Sequence, residues 1–239
     1  VAMQLCDLLF KALALALPGR VLAGTKGCIC NIAFGGINPA TDEYFTYYET
    51  IAGGYGATLC NDGMDAVQAH FQNTENAPVE ETEANYPVRI LRYELIDDSE
   101  GAGQYRGGLG VRRDYTFPGH TPSFSILSDK AKYAPWGLFG GSAARPAKYI
   151  LNPDTEARAL PSKITLPLQP GDVVSVQTPG GGGCAPVWQR PPAFVAADIA
   201  AGKISVARAR EVYGVVVHPD TYTVDEAATT ALGASMAGA

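Results

Sequence analysis

His70 is the residue best suited by type to do chemistry. It is one of three histidines in the chain and sits in Ala69-His70-Phe71-Gln72-Asn73-Thr74-Glu75-Asn76, with Glu80, Glu81 and Glu83 close behind. An imidazole changes charge near neutral pH, so among amides and carboxylates it can act as a general base or orient a substrate amide. If residues 66–72 form a strand, Gln68, His70 and Gln72 share one face with Ala66, and Val67, Ala69 and Phe71 lie opposite. The alternative is a buried histidine satisfied by a backbone carbonyl. His120 falls in a turn and His218 near the tail, so neither partners His70 by sequence.

Other chemistries leave incomplete sets. Thr178-Pro179 followed by Gly180 to 183 can aim backbone N–H groups at an anion, or can let another backbone approach closely. The second is favoured, because no basic residue follows until Arg190. No phosphate-binding glycine loop ending in Lys and Ser or Thr is present. Gly101 and Gly103 begin a dinucleotide-like pattern, but Arg106 stands where the third glycine belongs, and the segment leads into a β pattern. Glu49, Asp62, Asp65 and Asp129 could each give one metal ligand, whereas a site needs several convergent groups. Cys28 and Cys30 have one residue between them and no second pair, which is not zinc spacing. No serine lies in a glycine-flanked elbow. Polar candidates without a complete catalytic set point to one part of a larger assembly.

The elements that must position these residues follow from periodicity and punctuation. The chain has 239 residues, 46% hydrophobic and 18% charged, enough for a sizeable core. A net charge of −6 with scattered Lys and Arg argues against nucleic acid. Five cysteines, an odd number in a large chain, read as reduced thiols. Near the start, Gln4, Asp7 and Lys11 fall on one helical face. Leu5, Leu8, Leu9, Ala12, Leu13 and Ala16 fill the rest, so an amphipathic helix is expected to dock on the core and stop at Pro18-Gly19. The apolar run at 12–17 is too short to span a bilayer and lacks a basic leader, so the chain reads as cytoplasmic, with no membrane partner. Aromatics at 44–48 suggest a strand. Alternation over 85–96 suggests another, with a bulge at Leu91. Residues 111–117 and 124–126, around Pro118-Gly119, read as a hairpin or meander. Short strands follow near 149–151, 164–168 and 173–178, the last two joined by Pro170-Gly171. Helices are expected over 194–201, stopped by Gly202, and from Ser205 to Gly214. Val215 to 217 suggests a strand. Thr223 with Glu226 would cap a last helix, and residues 233–239 should fray. The class is α+β: a largely antiparallel β core with an N-terminal helix and C-terminal helices.

An ordered series of strings resembles the hydantoinase B/oxoprolinase family. It includes Tyr47-Tyr48-Glu49-Thr50-Ile51-Ala52-Gly53-Gly54, the His70 to Glu80 segment, Tyr86-Pro87-Val88-Arg89 and Arg92-Tyr93-Glu94-Leu95. It continues through residues 101–110, Ser128-Asp129, Pro135-Trp136-Gly137-Leu138, Pro170-Gly171-Asp172, residues 178–183 and Tyr213-Gly214-Val215-Val216. The match covers roughly residues 1–217, leaving 218–239 as a tail with a short helix. The resemblance implies an ATP-dependent enzyme that hydrolyses cyclic amides such as hydantoins or 5-oxoproline, or a related one that carboxylates ketones. It also implies a hydantoinase A-type partner that binds ATP. The part resembled is the C-terminal half of a B-type polypeptide. The N-terminal half, which in the family carries a His and Asp metal cluster, is expected as a separate chain. ATP and a divalent metal would therefore sit on partner chains. On this chain Glu49, His70 and Asn73 would line the substrate side, with His70 as base or carbonyl-orienting donor. A non-catalytic interaction module is the alternative. One departure stands out: Cys184-Ala185-Pro186 follows the glycines where the family has an aromatic, Gly and Asp. Ala and Pro do not take a glycine's backbone geometry freely.

Overall fold

The computed structural model describes residues 1–237. It is α+β, with helices α1 (Ala2–Leu13), α2 (Val79–Asn85), α3 (Pro192–Ala200), α4 (Val206–Glu211) and α5 (Glu226–Ala237). The strands are β1 (Asn31–Ile37), β2 (Tyr44–Thr50), β3 (Arg89–Leu95), β4 (Val111–Thr116), β5 (Ser123–Leu127), β6 (Lys148–Leu151), β7 (Arg158–Ala159), β8 (Lys163–Pro167) and β9 (Val173–Gln177). They form two antiparallel sheets, ordered β2-β1-β5-β8 and β3-β4-β9-β6-β7. Alternate residues of both sheets, among them Ile32, Phe34, Phe124, Tyr115 and Val174, bury in one shared core. Phe34 sits at its centre against Tyr47, Phe117 and Phe124.

The expected bulge at Leu91 is present as a register shift between Ile90 and Arg92. The expected hairpin at Pro118-Gly119 is not. β4 and β5 lie in different sheets, and so do β8 and β9, although Gly171 takes the positive φ of 88° that its turn requires. These turns are corners that carry the chain between the layers, so that each sheet buries its apolar face on the other. Residues 85–88 precede β3 as the end and exit of α2, a helix that Glu80 and Glu81 favour in its first turn.

Two local expectations reverse. In α1 Asp7, at 2% exposure, points inward with Met3, while Gln4 and Lys11 stay exposed and Leu5, Leu8, Leu9 and Leu13 face outward. The carboxylate has partners inside, described below. The leucines have no such cover among the described residues, and Leu15 beyond the helix is 92% exposed. Residues 66–72 do not form a strand. Only Val67 bridges to Gly53, and His70 adopts a left-handed φ of 53°.

At the other end, Ser205 caps α4 by accepting from Arg208 N at 3.0 Å, and Gly202 and Gly214 take positive φ as stops. Asp225, not Thr223, caps α5: its Oδ1 accepts from Ala228 N at 2.9 Å. Val215 to 217 gives only a bridge, Val217 to Val224. Of the stretch expected to fray, 233–237 belongs to α5, and 238–239 lie outside the described residues.

The four glycines resolve in favour of close approach. The N–H groups of Gly181, Gly182 and Gly183 donate to Gly108 O, Gly24 O and Ser142 O, leaving those donors no anion to bind. A Cβ on Gly181 would collide with Tyr55 backbone, and one on Gly107 with Gly181 backbone. Buried ion pairs tie this knot to α3: Arg106 with Asp65 and Asp198, and Arg190 with Asp62 and Asp198. Directly after the knot, Ala185 is held at a φ of +62°. A Cβ at such a φ costs about 1 kcal/mol or more. Ala185→Gly is therefore expected to stabilise the fold by about 1 kcal/mol, raising Tm by roughly 2–4 °C for a chain of this size. Calorimetry that found an unchanged or lower Tm would contradict the strain.

Candidate functional site

The inward face of α1 brings Asp7 against the loop that carries His70. His70 Nε2 lies 3.0 Å from Asp7 Oδ1 and 3.4 Å from Thr25 Oγ1. Thr25 donates to the same carboxylate oxygen from its hydroxyl at 3.1 Å and its backbone N–H at 3.3 Å. The Lys130 ammonium stands 3.5 Å from Asp7 Oδ2. An ionised carboxylate only accepts, so Nε2 carries the imidazole proton and donates it to Asp7. Nδ1 is left with its lone pair and takes no hydrogen bond among the described residues. Phe10 and Tyr55 flank the ring at 5.6 and 6.2 Å. A base oriented by a carboxylate is the unit that general-base chemistry uses.

Backbone conformation concentrates at this point. His70 and Lys130 are both non-glycine residues at positive φ, 53° and 61°, and Gly27, against the Lys130 and Asp7 side chains, has φ 55°. A Cβ on Gly27 would come within 2.6 Å of Asp7 Oδ2 and would displace Lys130. Two left-handed residues aimed at one carboxylate are strain held in place by the surrounding fold, as at functional sites.

Behind the dyad, Lys26 is fully buried and donates to Ile51 O and Gln68 Oε1, both at 2.6 Å. Burial pushes its ammonium down to about 8. Between that value and the ordinary 10.5, the unfolded chain binds a proton that the folded chain lacks, so stability rises with pH across that window. Compared with Lys26→Met, the wild type should gain stability between about pH 8 and pH 10. A difference that stayed flat across that range would show that the lysine is not desolvated. Nearby, burial pushes the Cys30 thiol up to about 12, which makes it inert. All five cysteines are unbridged.

Glu49 and Asn73 occupy different settings. Glu49 is buried, and both oxygens are engaged: Oε1 accepts from Arg113 Nη1 at 2.5 Å and Ala77 N at 2.9 Å, and Oε2 accepts from Tyr115 at 3.1 Å. It anchors the far end of the loop that carries His70. Asn73 is exposed on that loop, and its side chain has no hydrogen-bond partner among the described residues.

With this geometry in view, residues 1–186 match the model of one family, hydantoinase B/oxoprolinase. The chain belongs to that family. It is similar to the B component of a putative D-/L-hydantoinase from Pseudomonas sp. (strain NS671), 36% identical over 95% of this chain and 38% of that protein. Among solved structures, the nucleotide-free acetone carboxylase superposes with a TM-score of 0.81 at 25% identity, covering 98% of this chain and 36% of the other. The ATP-dependent caprolactamase from Pseudomonas jessenii gives 0.80 at 31% identity, covering 94% and 40%. The chain thus spans less than half the length of these family relatives.

Family membership raises the question of a divalent metal. Among the described residues, no three His, Cys, Asp or Glu side chains converge. Asp7 and His70 offer two donors, but the adjacent Lys130 ammonium opposes a cation there. These residues do not fit a metal, and no step is derived through one. Asp7, Thr25, Lys26 and Lys130 are the site residues that sequence reasoning missed. The available signal was Asp7, the one acid of a mostly apolar helix.

Proposed function

We propose that this chain is the substrate-side component of a multi-subunit ATP-dependent cyclic amidohydrolase of the hydantoinase/5-oxoprolinase type. The observation that carries the reading is the Asp7-held imidazole of His70 with Nδ1 unengaged, in a chain of this family. ATP supplies activation of the amide oxygen, and it would bind to a hydantoinase A-type subunit. His70 Nδ1 takes the proton of the water that attacks the ring carbonyl carbon. Asp7 then holds the imidazolium through Nε2–H, and Thr25 fixes Asp7; the imidazolium returns the proton to the ring nitrogen as the C–N bond breaks, and the activating phosphoryl group departs to a second water as phosphate. Asn73 lies on the exposed side of the loop, where a substrate would meet it, and Glu49 sets the loop's position from behind.

The partners are the A-type subunit and the remaining region of a B-type polypeptide, which would carry the divalent metal. The outward leucines of α1 support this, since such an apolar stripe is normally covered. Unbridged cysteines and ATP chemistry fit a cytoplasmic enzyme. No helix among the described residues is long and apolar enough to cross a membrane.

Ketone carboxylation is the second reading, favoured by the likeness to acetone carboxylase. ADP release by the reconstituted complex separates the two. Release driven by hydantoin or 5-oxoproline supports the hydrolase, and release that requires acetone with bicarbonate supports the carboxylase.

A further inference from the structure

Gln72 holds the most conspicuous unmet valences beside the dyad. Both ends of its carboxamide, Oε1 and Nε2, are cut off from water and have no hydrogen-bond partner. Folded proteins rarely leave a buried amide unpaired, and where they do a function or a missing ligand is the usual explanation. The backbone around it is fixed, because Gln72 N donates to Ala69 O at 3.2 Å and closes the turn that presents His70. The side chain lines a cleft of about 460 Å³, together with Met3, Gly27, Cys28, Phe71 and Ser128. In that cleft Cys28 and Ser128 contact each other at 3.3 Å, and Phe71 offers an exposed apolar ring. Asn31, Asp129 and Lys163 also line it, but Asn31 Oδ1 accepts from Tyr48 and Lys163 donates to Asp129 Oδ1 and Ser128 O, whereas both amide ends of Gln72 are buried without a partner.

We infer that Gln72 reads the cis-amide edge of a cyclic amide. This rests on the reading of the chain as part of a cyclic amidohydrolase. A primary carboxamide presents an N–H donor and a C=O acceptor side by side. In rings of five to seven atoms the amide is forced cis, so its own N–H and C=O point to one edge. The two edges are complementary and form a paired donor–acceptor contact. An open-chain secondary amide is trans, and its N–H and C=O point in opposite directions, so it offers Gln72 only one hydrogen bond. Rotation about the inner side-chain torsions between their staggered wells carries the amide into the cleft. The ring then sits beside Phe71.

Ligand-observed NMR titration of the full chain with 2-pyrrolidinone tests this, with N-methyl-2-pyrrolidinone and N-methylacetamide as controls. The first control lacks the donor, and the second is trans. Wild type should bind 2-pyrrolidinone about tenfold or more tightly than either control. Gln72→Met keeps the side-chain length and removes the amide. It should weaken 2-pyrrolidinone about tenfold or more, with an unchanged or higher Tm, because an unpaired buried group has gone. Gln72→Glu, which loses the donor, should weaken it too. Equal affinity for the three compounds, no binding by the wild type, or undiminished binding by Gln72→Met would each overturn the inference. If Gln72 reads the lactam but the complex releases no ADP with cyclic amides, the functional reading fails. If turnover proceeds while binding ignores Gln72, only this inference fails.

Discussion

His70→Ala, in the complex reconstituted with its A-type subunit and the remaining B-type region, should lower kcat by about 10²–10⁴-fold, the usual contribution of a positioned general base. KM should change little, because the imidazole acts on the proton of the attacking water and contributes little to ground-state binding. Asp7 acts through His70 and is a positioning residue. Asp7→Asn should lower kcat as well, and it should leave a spectroscopic trace that a structural role would not. In the wild type the carboxylate enforces the Nε2–H tautomer, 3.0 Å away. An asparagine can instead donate to Nε2, which shifts the proton to Nδ1 and removes the base. Nitrogen-15 chemical shifts of the His70 ring report this exchange directly. Undiminished kcat in His70→Ala would remove the residue from the chemistry.

Gly181→Ala should abolish soluble folded protein, or destabilise it by more than about 4 kcal/mol, a loss that few single substitutions reach. The backbone there has an ordinary φ, and the clash is with main chain. The new Cβ would overlap the Tyr55 carbonyl and reach Gly56 N at 2.8 Å. Neither neighbour can give way, because Tyr55 O accepts from Gly108 N, and Gly181 is itself bonded to Gly108 O. Gly119→Ala is the matched control. Its φ is +76° and nothing lies within 4 Å of the added carbon, so only the conformational penalty of about 1 kcal/mol is expected. Soluble yield and thermal unfolding of the two variants separate packing from backbone freedom. Similar stability in both would deny that the knot is rigid.

Strands announced themselves where side chains alternate. β2, β4 and β9 lie where alternation and aromatic residues put them, and the slip at Leu91 marked a real bulge. Helix stops were legible because Gly202 and Gly214 supply a positive φ at low strain. Sheet partnership was not legible. A Pro-Gly turn looks the same whether it folds a strand back on itself or carries it to the other layer. The orientation of α1 was lost for a related reason. Periodicity identifies two faces, and the usual rule buries the apolar one, but here Asp7 is drawn inward by Thr25, His70 and Lys130, all distant in sequence. His70 itself stood out by residue type and surroundings. Its partner could not, since a dyad across 63 positions leaves no local pattern. The alternation over 66–72 misled because a left-handed residue breaks the strand at His70 itself.

Native mass spectrometry after co-expression with an A-type subunit and the remaining region of a B-type polypeptide tests the central claim most directly. The account predicts a defined hetero-oligomer that contains this chain, and loss of that species when outward leucines such as Leu8 and Leu9 are replaced by serine. A stable monomer that never enters a complex, with cyclic-amide turnover by the isolated chain, would contradict it.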